Sequence, residues 1–271
     1  MAAASASRWN NRLPDSKNKT KTLTDMKIAV ISITRHGIAL AARVVAAWPG
    51  AQLHAPDKFR SEAEAAAPGA THCYTGKLGE QIPGLFAQYD GIIAIVSLGA
   101  MVRVIAPHLK GKEVDPAVVV IDEAGKFAIP MLSGHLGGAN ALAHHMARAL
   151  GAQAVLTTAS DARQTLAVDL FGRELGWHME AAHDAIVCAS AAVVNDEPVA
   201  IVQEAGSTDW WKRHADGRSG SLPANLHCYE KLEDIDPARF AAVLWISRRE
   251  MPSGYSASLA GRCVIYRPEA A

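Results

Sequence analysis

The chain has 271 residues, of which 49% are hydrophobic and 20% are charged, so it contains enough apolar material for a full globular core. Lysine plus arginine and aspartate plus glutamate number 27 each. This balance excludes a general attraction to nucleic acid or to an anionic membrane surface, although basic groups gathered locally could still hold an anionic ligand.

The four cysteines are widely spaced and form no C-x-x-C pair, which argues against a zinc ribbon and a disulfide framework. We therefore expect buried free thiols in a reducing compartment. Residues 1–25 carry no apolar segment of a secretory signal and predict a disordered tail, and Met26 could serve as an alternative start. Because no run of about 20 apolar residues could span a bilayer, we expect a cytoplasmic protein.

From Lys27 onward the pattern is typical of an α/β protein. A β-branched run over 27–33, a break at Thr34 to Gly37 and helical spacing over 38–48 predict a strand, a turn and a helix. Further strands are predicted over 52–55, 72–74, 91–97, 117–121, 127–132 and 153–157, with a helix ending near Tyr89 and another over 139–150. The runs 117–121 and 127–132 are spaced like a hairpin, so the sheet is expected to be mixed there.

The character of the chain changes beyond Gly176. Before this point a helix is predicted from Asp161 to near Leu175. After it, the pattern predicts a helix over 182–194, strands over 198–203, 243–247 and 263–266, and a loop over 206–223. The expected fold class is α/β: a flavodoxin- or Rossmann-like, mostly parallel sheet flanked by helices, followed by a second, smaller α/β domain. We predict the first domain over 26–161 and the second over 162–271.

Ligands of open parallel sheets bind beyond the carboxyl ends of the strands, where the strand order reverses. Applied to this sequence, the rule predicts that four polar turns meet at one rim. They are Thr34 to Gly37 after the first strand, Ser97 to Arg103 after the strand 91–96, Ser133 to Asn140 after the strand ending at Leu132, and Thr158 to Asp161 after the strand ending at Thr157.

The turn Ser133-Gly134-His135-Leu136-Gly137-Gly138-Ala139-Asn140 is the most distinctive of the four. Its glycines let the backbone approach a ligand, and free amides at the start of the next helix favour a carboxylate or a phosphate. Tight strand–helix packing would explain the same glycines equally well. The turn is neither G-x-G-x-x-G nor a Walker sequence, so standard nucleotide binding is not predicted.

Two titratable residues of the predicted rim could act in catalysis. His135 could pass a proton near neutral pH, and Glu123 could place a carboxylate at the rim. A hydrogen bond from His135 to a neighbouring turn and a polar hairpin turn at Glu123 are simpler explanations of the two residues.

Several segments together resemble one family. They are Tyr89-Asp90-Gly91, Gly99-x-x-x-Arg103-x-x-Ala106-Pro107, Lys112-x-x-Asp115-Pro116, Asp122-Glu123-x-Gly125, the turn from Ser133 to Asn140, and Thr157-Thr158-Ala159-x-Asp161. With these residues the chain resembles the CbiG family of cobalamin biosynthesis, the cobalt-precorrin-5A hydrolases, from Met26 to about Pro268. The resemblance implies a hydrolase that opens a δ-lactone on a cobalt-corrinoid and releases acetaldehyde, giving cobalt-precorrin-5B. The substrate would carry the cobalt, so neither a cofactor nor a protein metal site is expected.

The implied substrate bears many acetate and propionate groups, which basic side chains and helix-start amides would bind. From the chemistry, His135 or Glu123 is the expected base, and the Gly137 and Gly138 amides are the expected anion donors. The expected substrate-binding residues are Arg35, Ser97, Gly99, Arg103, Lys112, Ser133, Gly134, Gly137, Gly138, Asn140, Thr158 and Asp161.

Two alternatives stay open. Many members of the family continue past a Tyr-Arg-Pro sequence into a third domain, whereas only three residues follow Tyr266-Arg267-Pro268 in this sequence. The chain could therefore be a non-catalytic corrinoid-binding subunit whose partner is a separately encoded C-terminal-domain protein. The other alternative is a flavodoxin-like binder of a nucleotide or a flavin. Neither nucleic acid nor a membrane is an expected partner.

Overall fold

The computed structural model describes residues 23–111, 114–211 and 221–269, and the chain divides into two compact units between Thr157 and Thr158. This division lies four residues before the predicted boundary at Asp161. The predicted disordered tail lies outside the described residues up to position 22. Its last residues, Leu23–Asp25, form a single 3-10 turn, and Leu23 packs against a core of the first unit.

The first unit contains most of the elements that the sequence predicts. Its strands are β1 (Ile28–Ser32), β2 (Gln52–Pro56), β3 (Thr71–Tyr74), β4 (Gly91–Ile95), β5 (Ala117–Ile121), β6 (Phe127–Leu132) and β7 (Gln153–Ala154). Its helices are α1 (Arg35–Ala47), α2 (Arg60–Ala66), α3 (Leu78–Gln88), α4 (Leu98–Ile105) and α5 (Ala139–Leu150). The predicted elements are confirmed, although β7 has two residues instead of five.

The seven strands form one sheet in the order β3-β2-β1-β4-β5-β6-β7. The first five strands in this order are parallel, β6 is antiparallel to β5, and β7 is parallel to β6. The strand order reverses between β1 and β4, since the chain continues from β1 to β2 on one side and from β4 to β5 on the other. We call the edge where β1, β4 and β5 end the carboxyl edge, and the edge where they begin the amino edge.

Both faces of this sheet are covered by helices. Ile28 and Val30 pack in one core with α1, α2 and α5, whereas Ala29 and Ile31 pack in a second core with α3 and α4. Because successive side chains of a strand point to opposite faces, strands covered on both faces must be apolar at almost every position, and Ser32 at the end of β1 is the one polar residue of β1, β4 and β5. All residues of these three strands are buried, which accounts for their continuous apolar runs.

The second unit is a smaller sheet with the order β10-β9-β11-β12-β8. Its strands are β8 (His178–Glu180), β9 (Val199–Gln203), β10 (Leu226–Tyr229), β11 (Ala242–Ile246) and β12 (Cys263–Arg267), and its helices are α6 (Ala159–Ala162), α7 (His183–Val194) and α8 (Ser253–Ser256). Only β8 is antiparallel to its neighbour among these strands. Two mostly parallel sheets with flanking helices confirm the predicted α/β class.

The predicted helix from Asp161 to Leu175 is wrong. Only α6 and a 3-10 turn at Arg173–Leu175 are helical there, and the chain between them is irregular. Its apolar residues Val168 and Phe171 enter the core of the second unit, where the hydroxyl of Tyr266 donates to the carbonyl of Val168 at 2.7 Å. Tertiary packing thus replaces the helix that the apolar spacing predicts. The strands β8 and β10 were not predicted, and residues 212–220 of the predicted loop lie outside the described residues.

All four cysteines are free thiols, as predicted, but only Cys263 is fully buried and Cys228 is exposed. The prediction of general burial is therefore wrong for the other three. Within the described residues, no helix combines the length and the apolar character needed to cross a bilayer.

Candidate functional site

The polar turns of the first sheet lie at two edges instead of the single predicted rim. Because β6 is antiparallel to β5, the turn that follows Leu132 lies at the amino edge. The sulfur of Met26, just before β1, is 3.5 Å from the position that a Cβ on Gly138 would occupy. The prediction of one shared rim is therefore wrong for Ser133, Gly134, His135, Gly137, Gly138 and Asn140.

Two further predicted residues lie in the second unit, and a third is not among the described residues. Thr158 and Asp161 belong to the second unit, where the Thr158 hydroxyl donates to the Asp161 carboxylate at the start of α6. This arrangement is a local hydrogen bond between residues at the N-terminus of the helix. Lys112 lies outside the described residues.

The carboxyl edge brings Glu123 next to Thr34. Thr34 is the N-cap of α1, and its Oγ1 accepts a hydrogen bond from the Gly37 amide at 3.0 Å. The same hydroxyl donates to Oε1 of Glu123, which follows β5. The carboxylate is thereby held beside the start of α1, where the partial positive charge of a helix N-terminus favours an anion.

Two arginines of the predicted set also lie at the carboxyl edge. Arg35 forms an exposed ion pair of 3.1 Å with Glu62 of α2, and Nη1 of Arg103 donates to the carbonyl of Gly99 at 3.1 Å. Interactions of this exposed kind contribute only about 0–1 kcal/mol. Both guanidinium groups can therefore turn to a ligand carboxylate at small cost.

Exposed apolar side chains lie close to these polar groups. Leu98 is 40% exposed and Val102 is 47% exposed. They are four residues apart on α4 and so lie on one face of the helix, next in sequence to Ser97, Gly99 and Arg103. Sequence reasoning missed this pair, because the local sequence carries no sign that these two side chains stay exposed.

At the amino edge, the turn from Ser133 to Asn140 uses its own amides. The Ala139 amide donates to the Ser133 carbonyl at 3.1 Å, and the Asn140 amide donates to the Gly134 carbonyl at 2.9 Å. The Gly138 amide donates to the His135 carbonyl at 2.9 Å, so it is not open to the anion for which it was predicted.

The glycines of this turn are explained by close packing. A Cβ on Gly137 would lie 2.3 Å from the Cβ of Ser133, and a Cβ on Gly134 would lie 2.7 Å from Oδ1 of Asn140. Ser133 itself has a φ of 56°, and its hydroxyl donates to the carbonyl of Asp115 at 2.9 Å. Of the two explanations that the sequence left open, the structure favours tight strand–helix packing.

His135 and Glu123, the two predicted bases, lie at opposite edges of the sheet. They are separated by the length of β6, six residues or about 20 Å. They therefore cannot act together on one reacting group within the first unit. In the described residues, no three His, Cys, Asp or Glu side chains are grouped so that they could hold a metal ion.

The second unit contains a charged cluster that sequence reasoning missed. Nε of Arg249 donates to Oε2 of Glu204 at 2.8 Å, and its Nη1 donates to Oε1 of Glu233 at 2.8 Å. Burial acts to raise the pKa of Glu204, but hydrogen bonds from Arg249, the Leu232 amide and Ser247 outweigh it and lower the pKa to about 2. The two carboxylates raise the pKa of Arg249 further above its usual value.

Comparison with known proteins finds similarity in both units. The family model of the cobalamin synthesis G N-terminal domain matches residues 80–161, and that of the cobalamin biosynthesis central region matches residues 166–268. A cobalt-precorrin-5A hydrolase from Priestia megaterium is 40% identical over 241 residues, which are 89% of this chain and 62% of that protein. The Salmonella typhimurium protein of the same name is 35% identical over 190 residues, which are 70% of this chain and 50% of that protein. A solved structure described as a homologue of cobalamin biosynthesis protein G from Sulfolobus solfataricus has a TM-score of 0.44 and 19% identity, over 89% of this chain and 60% of that one.

Proposed function

The chain belongs to the CbiG family of cobalamin biosynthesis over its N-terminal and central regions, and on this basis we propose that it acts as a cobalt-precorrin-5A hydrolase. The observation that carries the proposal is the 40% identity over 241 residues with the Priestia megaterium protein of that name. The chain spans 62% and 50% of the lengths of the two curated relatives, so the activity of those whole proteins is proposed for it.

The proposed reaction has two steps. Water adds to the carbonyl of a δ-lactone on the cobalt-corrinoid, and the ring C–O bond breaks to leave a carboxylate and a hydroxyl group. Loss of the hydroxyl proton then lets a carbonyl form as the adjacent C–C bond breaks. The two-carbon unit leaves as acetaldehyde, and the bonding electron pair remains in the conjugated macrocycle. Each step needs a base, for water first and for the hydroxyl second.

We assign the base to Glu123 at the carboxyl edge of the first sheet. Its carboxylate is exposed, it is oriented by the hydrogen bond from Thr34, and it lies at the edge where the strand order reverses. His135 lies at the other edge and is not part of this assignment. The cobalt belongs to the substrate, and the proposal requires no cofactor from the protein.

The surroundings of Glu123 suit a ring that is apolar on its faces and acidic at its periphery. Leu98 and Val102 offer exposed apolar contact to a ring face. Arg35 and Arg103 can bind ring carboxylates with charge-assisted hydrogen bonds. Ser97 and Gly99 begin α4 at the same edge and are exposed, so they border the proposed substrate position.

The test is to incubate the purified chain with cobalt-precorrin-5A and to follow acetaldehyde together with the mass of the corrinoid. Equimolar acetaldehyde and a corrinoid whose mass has increased by one water and decreased by one acetaldehyde are expected. The second candidate function is a corrinoid-binding subunit that needs a separate C-terminal-domain protein. Binding without turnover, followed by turnover when such a protein is added, would support this candidate, and absence of both would reject both candidates.

A further inference from the structure

The second sheet has its own reversal of strand order, between β9 and β11. The chain continues from β9 to β10 on one side of this point and from β11 to β12 on the other. In open parallel sheets the crevice beyond such a point is where ligands bind. A cleft of about 1030 Å³ lies there, and its lining comes from the segments that follow β9, β10 and β11. This volume is at the upper end of the roughly 300–1,000 Å³ that small-molecule sites occupy.

Ion pairs to a single guanidinium group connect the walls of this cleft. Arg249 follows β11 and binds Glu204, which follows β9, and Glu233, which lies beyond β10. Oε1 of Glu204 also accepts from the Leu232 amide at 3.0 Å. Arg249 packs over the buried ring of Trp245, 5.6 Å from its centroid. All three segments are thus held in place before any ligand arrives, which lowers the entropy cost of binding.

Two cations of the cleft are available to an acidic ligand. Arg249 binds the carboxylates of both Glu204 and Glu233, and its single charge balances one of the two. Three other charged residues line the cleft, namely Lys231, Arg248 and Glu230, and in the described part of the chain none of them has an ion-pair partner. The lining as a whole therefore carries three cations and three carboxylates, and Lys231 and Arg248, which form no ion pair with another described residue, are the groups that an acidic ligand can bind.

Arg248 is also oriented. Its Nη2 donates to the Glu269 carbonyl at 2.7 Å and its Nε donates to the Pro268 carbonyl at 3.4 Å. No described residue accepts a hydrogen bond from its Nη1. A guanidinium group that is held by two backbone carbonyls keeps its full charge for a ligand, because carbonyls do not neutralise it.

We propose that this cleft is a binding site for carboxylate groups of a large polycarboxylate ligand, which Lys231 and Arg248 bind directly. Naming that ligand as the corrinoid rests on the proposed function. The site itself rests on the cleft, on the ion pairs that join its walls, and on Lys231 and Arg248, which form no ion pair with another described residue. It assigns to the central region a binding role that is separate from the assignment of Glu123.

The test measures the binding of a carboxylated porphyrin to the full chain by fluorescence, with a cationic porphyrin of the same ring as a control. The variants are Lys231→Met, Arg248→Met and their combination. The matched control combines Lys58→Met and Arg239→Met, which removes two exposed cations outside the cleft lining. Loss of one charged contact is expected to weaken binding about tenfold, and the double variant about 100-fold. The control pair should keep the wild-type dissociation constant.

Any of three results would overturn the site. The double variant and the control pair could bind with equal affinity, the wild type could fail to bind the carboxylated porphyrin, or the cationic porphyrin could bind as well as the carboxylated one. Turnover of cobalt-precorrin-5A is measured separately on the wild type. Porphyrin binding that depends on Lys231 and Arg248 in a chain without turnover would support the site and count against the proposed activity. Turnover by the wild type, together with unchanged porphyrin binding in the double variant, would support the proposed activity and count against the site.

Discussion

The hydroxyl of Thr34 donates a hydrogen bond to the carboxylate of Glu123, 89 residues further along the chain. The bond joins the end of β1 to the turn after β5, across the intervening strand β4. The same hydroxyl accepts from the Gly37 amide, and its hydrogen remains available for the carboxylate of Glu123, which can only accept. A single side chain thus fixes the start of α1 and the orientation of the proposed base.

The first prediction separates the two edges of the first sheet. Glu123→Gln keeps the shape of the side chain but removes its basicity, and we expect it to lower kcat by roughly 100-fold or more, as loss of a general base does. His135→Gln is expected to retain turnover, because His135 lies at the amino edge. Rates of acetaldehyde release for both variants check this, and the opposite ranking would move the reacting centre to the amino edge.

The second prediction concerns Thr34 as a positioning residue. Thr34→Val removes both hydrogen bonds of the hydroxyl, and we expect kcat to fall about tenfold with little change in KM, since Glu123 loses its orientation and not its charge. Thr34→Ser keeps the hydroxyl and should restore kcat. The matched control is Asp236→Ala, which removes a cap from the turn Pro237–Arg239 of the second unit. An equal loss of kcat in Asp236→Ala would mean that loss of stability, and not orientation, explains the result.

The third prediction concerns the close packing of the Gly-rich turn. Gly137→Ala would place a methyl group 2.3 Å from the Cβ of Ser133 and 2.7 Å from its carbonyl oxygen. We expect the free energy of unfolding to fall by about 2–3 kcal/mol, as overpacking does. In Gly79→Ala the new methyl group meets no atom within 4 Å in α3, and a gain of about 0.5–1 kcal/mol is expected. Urea titration of both variants measures the two changes, and a neutral Gly137→Ala would contradict the packing explanation.

The fourth prediction is a pH dependence of stability. The pKa of Glu204 is about 2 in the folded chain, below the usual value of about 4.3 for an unfolded chain. The unfolded state therefore binds more protons between these values, and the stabilisation is present above about pH 4.3 and is lost as the pH falls toward 2. With allowance for solvent screening, we expect its size to be about 1–2 kcal/mol.

Glu204→Gln should lower the free energy of unfolding at pH 7 by about that amount and flatten its decline between pH 5 and pH 2. The control is Glu64→Gln, which removes an exposed partner of Arg60 and should leave the decline unchanged. Urea titrations across this pH range measure both variants, and parallel declines in Glu204→Gln and the wild type would show that the cluster does not stabilise the fold.

The sequence predicts the strands of the first sheet well, because β1, β4 and β5 are buried on both faces and are apolar at every position except Ser32. It also predicts the hairpin between β5 and β6. In that hairpin, Oδ1 of Asp122 accepts from the Lys126 amide at 2.8 Å and from the Phe127 amide at 2.6 Å. The expectation of a single rim did not include the reversed direction of β6, which places the turn after Leu132 at the amino edge.

The cleft of the second unit could not be predicted from local patterns. Glu204 and Arg249 are 45 residues apart in the chain and belong to no motif of fixed spacing. The pairing arises because β9 and β11 are neighbours in the sheet, and this neighbourhood depends on a strand order that apolar spacing does not encode. Strands as short as β8, with three residues, likewise carry too few positions for a recognisable alternation.

The single reversal at β6 has a consequence for how substitutions combine. Glu123 and Gly137 lie at opposite edges of the first sheet, and no described residue is a hydrogen-bond partner of both. Changes at sites more than about 10 Å apart and without common partners add in free energy. Turnover and folding stability should therefore be separable traits of this unit. Substitutions near Glu123 can change the reaction, whereas substitutions in the Gly-rich turn change the free energy of unfolding.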